Sequence, residues 1–219
     1  LIASAIILLG LAALRGIKCT EEALPHVQPT TLSYFPYAVL IFLALVWLDS
    51  AAFFIIQHTQ ELKDNSWADI HLWRNAMIHF SFAILAGLIL QKSRATILTV
   101  GAFLLLALAS LCLNHSETAS LGGWLYPAGV SLYSTALVAC PVYLSKVFKS
   151  GKALSPAWSA AILYSIAGWF GSANGIGMAE NLNYIPTLFL VIAGIIFCIP
   201  AIVALMKVRR SESVIVIVL

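Results

Sequence analysis

Apolar residues run along this chain in long blocks rather than alternating with polar ones. Six blocks, at 36–57, 74–91, 96–113, 124–145, 156–176 and 184–206, approach the ~20 apolar residues that a bilayer-crossing helix needs. A seventh, 1–14, would be only about 21 Å long as a helix, too short to cross. It begins at full hydrophobicity, without Met and without a basic leading segment, unlike a signal peptide. The pattern predicts the end of a helix whose beginning lies upstream. Polar residues gather at 15–35, where Pro25 and Pro29 mark a linker, and at 60–70, a loop with Trp67 suited to a short interfacial helix. The expected architecture is all-α: a polytopic membrane bundle of six full transmembrane helices over 36–210. A partial helix at 1–14 and the 15–35 linker precede it, and a tail at 211–219 follows.

Composition sharpens this reading. Of 219 residues, 61% are hydrophobic and 10% charged, with a mean hydropathy of +0.96. A soluble domain of this size cannot bury so much apolar surface, which excludes a soluble enzyme or soluble binding module. Cys19, Cys112, Cys140 and Cys198 are scattered, without the spacing of a redox pair or zinc site. The net charge of +3 is small and dispersed, which argues against nucleic-acid binding. The basic residues do carry topology. Arg15, Lys18, Lys92, Arg94, Lys146, Lys149, Lys152, Lys207, Arg209 and Arg210 fall on one side if every block crosses, and only Lys63 and Arg74 on the other. The positive-inside rule then places the linker and the C-terminus in the cytoplasm.

Chemistry-bearing residues inside the blocks are few. Asp49 is the one deep acid, where a charge costs at least ~2.5–3.5 kcal/mol on insertion scales. It reads either as a cavity acid or as a hydrogen-bonded residue holding helices together. His79 lies at a similar depth on the next helix, which makes Asp49–His79 a candidate pair. Asp49, Phe53, Ile56 and Gln57 share one helix face, and Arg74, Asn75 and His79 cluster on the next helix. Arg74 is either a pathway residue or a snorkelling cation. In the fifth helix Tyr126 and Tyr133, seven apart, share a face, and Pro141 frees a carbonyl one turn earlier. Gly171 and Gly175 form a small-xxx-small pair that favours close packing, and Asn174 beside them is a candidate cavity residue. No phosphate-binding loop occurs, and His58, His71 and His79 do not form a metal or haem site, so no metal or cofactor is expected.

A partial helix, a polar linker and six helices ending in the cytoplasm together resemble the C-terminal half of a major facilitator superfamily transporter. The family's cytoplasmic turn pattern G-x-L-A-D-R-x-G-R-R corresponds to Gly87-Leu88-Ile89-Leu90-Gln91-Lys92-Ser93-Arg94-Ala95-Thr96. Gly87 and Lys92 agree with it, Gln91 replaces the acid, and Ala95-Thr96 replace the terminal basic pair. The resemblance implies a secondary active transporter moving a small solute by alternating access, with proton coupling through Asp49 as one option, and not an enzyme. It implies a central cavity lined by the helices that hold Asp49, His79, Tyr133 and Tyr164. It also implies a bacterial inner-membrane location and a partnering six-helix N-terminal half. The competing readings are a non-transporting subunit or assembly factor of the same fold, a seven-helix receptor, and a membrane-embedded hydrolase. A retinal protein is disfavoured, because the last helix has no Lys before Lys207.

Overall fold

The computed structural model describes residues 35–92, 95–147 and 154–210, with side chains at 38–92, 95–139 and 160–203. The expected partial helix at 1–14, the linker up to residue 34 and the tail at 211–219 lie outside the described residues. Within them the protein is helical throughout: α1 (Phe35–His58), α2 (Gln60–Ser66), a 3-10 turn (Asp69–His71), α3 (Leu72–Gln91), α4 (Ala95–Leu113), α5 (Ala119–Val147), α6 (Leu154–Ala179) and α7 (Thr187–Arg210).

Each of the six long apolar blocks lies in a helix, with shifted boundaries. Pro36 occupies the first turn of α1, where a missing N–H costs nothing. The fifth helix starts five residues before the expected 124, taking in Gly122 and Gly123. Thr118 receives the Gly122 N–H on its carbonyl at 3.0 Å, and both glycines are buried. A Cβ on Gly122 would sit 2.7 Å from the Leu113 side chain, and one on Gly123 2.0 Å from the Asn65 carbonyl. Close approach to α4 and α2 thus overrides the poor helix propensity of glycine here.

Among the described residues, three segments are long and apolar enough to cross a membrane: Ala38–His58, Gln60–Gln91 and Ala95–Leu113. The second includes the polar α2, so its crossing part is α3. The apolar stretch of α7, Thr187–Val203, is shorter. These helices mark a membrane protein; among the described residues, three of the six expected crossings meet the requirement.

The helices pack in an exchanged pattern. Setting α2 aside, the chain divides into two consecutive triplets, α1–α3–α4 and α5–α6–α7. The first helix of each triplet packs on the second and third helices of the other: α1 on α6 and α7, α5 on α3 and α4. Within the first triplet α3 and α4 touch little. The core follows from this exchange. Leu45, Leu48, Ile55 and Ile56 of α1, Leu98 and Leu106 of α4, and Tyr126 of α5 are fully buried. The expected Gly171/Gly175 contact is present: Cβ atoms there would meet the Trp47 carbonyl at 2.4 Å and the Ala51 carbonyl at 2.7 Å, so α6 lies directly on the α1 backbone. At one end of the bundle the Asn114 side chain clasps Ile185, donating to its carbonyl at 2.8 Å and accepting its N–H at 2.7 Å.

Candidate functional site

Asp49 sits on the inner length of α1, where α1 faces α5. Tyr126 and Tyr133 lie two turns apart on one stripe of α5, so both phenols reach the same carboxylate. Tyr126 donates to Oδ1 at 2.6 Å and lies 3.0 Å from the Asp49 carbonyl; Tyr133 donates to Oδ2. Tyr126 is fully buried and Tyr133 nearly so. The O–H···O distance of 2.6 Å lies at the short end of the range for a hydroxyl donor. The partners of Asp49 are two phenols from one helix, not a cation. This arrangement joins the first helices of the two triplets, with one phenol on each carboxylate oxygen.

The expected Asp49–His79 pair does not form. His79 Nδ1 is hydrogen-bonded to the Ser131 hydroxyl instead. Ser131 lies roughly 150° round α5 from the two tyrosines, at 100° per residue. The two groups therefore reach α5 from different sides, α1 on one and α3 on the other. A shared depth in the membrane does not make them neighbours.

Trp67, expected at the headgroup level, turns inward. Its ring packs edge-on against Phe53 at 5.6 Å and tilts against His79 at 5.7 Å. Its indole N–H is buried without a hydrogen-bond partner. His79, Ser131 and Trp67 thus form a second polar spot, one layer away from Asp49.

Arg74 is anchored at the end of α2. Its guanidinium donates to the Ser66 carbonyl at 2.8 Å and the Asn65 carbonyl at 3.3 Å, and lies 5.6 Å over the Trp124 ring. Asn75 adds a bond to Ser66 at 2.8 Å. These are the last carbonyls of α2, which have no partner within the helix, and a cation at a helix C-terminus is favoured. The other candidates stand apart. Gln57 is partly buried, eight residues beyond Asp49 on α1. Tyr164 of α6 is buried edge-on against Phe42, at 5.8 Å. Asn174 is partly buried between the two glycines that meet α1. None of the three bonds to Asp49.

The sequence contained the signal for the cluster: an isolated acid, and two tyrosines on one helical stripe at a compatible depth. Ser131 and Trp67 carried no comparable mark. Among the described residues no group of His, Cys, Asp and Glu could hold a metal ion. No protein-family model, curated protein or solved structure matches this chain.

Proposed function

We propose that this chain is the C-terminal half of a secondary active transporter, with six membrane crossings, a cytoplasmic C-terminus and Asp49 as the coupling carboxylate. One observation carries the reading: the single deep acid bridges the first helices of two exchanged triplets. In transporters built from inverted three-helix repeats, ion and substrate sites lie near the midplane at the repeat interface. An acid at that place can change its charge with the position of the two triplets. The exchanged packing also supports the resemblance to a major facilitator half, and on this reading the protein works in an inner membrane beside a six-helix partner half. A small solute would pass between the halves as one rocks against the other.

The competing reading, a non-transporting subunit of the same fold, also has an observation behind it. Both carboxylate oxygens of Asp49 are already occupied by phenols, as in an acid that only ties helices together. Reconstitution in liposomes with the partner half, with pools of small solutes added outside and an entrapped pH-sensitive dye inside, separates the two. Transport predicts solute-evoked proton flux that Asp49→Asn abolishes while insertion is kept and the melting temperature falls by only about 2–4 °C. Undiminished flux in Asp49→Asn removes Asp49 from coupling. Absence of flux with every pool in the intact protein favours the non-transporting subunit.

A further inference from the structure

Helices α4 and α7 run antiparallel. Phe103 stacks on Phe197 at 4.8 Å toward one end, and Asn114 clasps Ile185 at the other. Between them an open groove of about 530 Å³ is lined wholly by apolar residues and a cysteine, among them Phe103, Leu111, Leu190, Gly194, Cys198 and Ile202. Its floor is Gly194, where a Cβ would meet the Phe103 ring at 3.4 Å. Val191, Ile195 and Ile202 on its rim are each more than half exposed. From Leu190 to Ile202 the groove runs along α7 for about 18 Å, a little more than half of a ~30 Å hydrocarbon core.

Charge identifies an occupant. Neither α4 nor α7 contains an acidic residue, and the two helices share a cationic end. Lys92 is exposed just ahead of α4, and α7 carries Lys207, Arg209 and Arg210 in its last turn. Ile202 is five residues from Lys207, about 8 Å along the helix. An acyl chain in the groove therefore leads to a phosphate at the level of four cations. Basic residues at the cytoplasmic end of an interhelical groove suit anionic lipid headgroups.

We propose that the α4–α7 groove binds an anionic phospholipid, with one acyl chain against Gly194 and Phe103 and its phosphate at the Lys92/Lys207–Arg210 end. Cys198 is an exposed free thiol in the groove wall and reports occupancy. The full chain in maltoside micelles is treated with N-ethylmaleimide, and alkylation of Cys198 is followed by peptide mass spectrometry while phosphatidylglycerol or phosphatidylcholine is titrated in. Phosphatidylglycerol should slow alkylation at least about fivefold at concentrations where phosphatidylcholine has no effect. In the triple variant Lys207→Gln, Arg209→Gln, Arg210→Gln, half-protection should need more phosphatidylglycerol, roughly fivefold more per cation removed. Equal protection by the two lipids in the native protein would overturn the proposal without any variant. So would a Cys198 that stays protected in delipidated protein and ignores added lipid, which would assign the groove to another segment of the protein or a second copy.

Discussion

Asp49 exchanges water for the hydroxyls of Tyr126 and Tyr133. Removing the carboxylate strands the Tyr133 phenol, while Tyr126 keeps the backbone carbonyl of residue 49 at 3.0 Å, and an unsatisfied buried hydroxyl costs about 1–3 kcal/mol. Asp49→Ala should therefore lower the melting temperature clearly in detergent, whereas Asp49→Asn, which keeps an oxygen of the same shape, should cost only about 1 kcal/mol. A melting temperature of Asp49→Ala equal to that of the native protein would show that the three side chains are not bonded in solution. At this scale the sequence was legible where chemistry is sparse. A lone acid and two tyrosines seven apart can be read from spacing alone. The partner of His79 could not be, because depth along a helix says nothing of which neighbour lies on which side. Arg74 was ambiguous for the same reason: the carbonyls of Asn65 and Ser66 that hold it become acceptors only once α2 has formed and ended.

At the scale of elements, α2 and α6 each offer a contact that one substitution can test. The seven residues of α2 keep Leu62 and Ser66 buried, one turn apart, and are closed by Gln60 donating to Asp64 at 2.7 Å and by Arg74 at the C-terminal carbonyls. Arg74→Met should remove a charged hydrogen bond worth about 1.5–3 kcal/mol. Its effect should stay local, read as faster amide hydrogen exchange across 60–67 with α4 and α5 unchanged. Uniform acceleration throughout the bundle would contradict a capping role. For α6, Gly171→Leu places a side chain against the Trp47 carbonyl, which cannot step aside without moving α1. A loss of about 1–3 kcal/mol or more is expected, read as a lower unfolding temperature, while Gly177→Ala, with open space around its Cβ, should cost nothing and gain up to about 1 kcal/mol of helix propensity. The helices themselves were legible from apolar runs. The early start of α5 was not, since Gly122 and Gly123 argue against a helix until the Leu113 and Asn65 backbones are seen beside them.

For the whole molecule, loop charge predicts orientation while helix contacts decide partnership. Under the positive-inside reading, His115→Cys should label from outside intact cells with an impermeant thiol reagent, and Lys92→Cys only after permeabilisation. Labelling of both from the same side would remove the topology on which the transporter proposal stands. The exchange of partners between triplets lay beyond the sequence, because apolar blocks of similar character do not reveal which pairs with which. Only the small-residue pair Gly171/Gly175 marked one of those interfaces in advance.

That exchange also fixes an order of events during synthesis. The principal partner of α1 is α6, whose last residue, Ala179, is made 121 residues after His58. At ~5–20 residues per second, α1 waits about 6–24 s for it. Asp49 waits for a hydroxyl 77 positions downstream, about 4–15 s on the same clock. During that interval the nascent chain holds an unpartnered acid and the bare backbone at Trp47 and Ala51 that Gly171 and Gly175 later cover. Of the described helices, the first to emerge is thus among the last to be enclosed, and α1 stays uncovered on that face until the second triplet follows it.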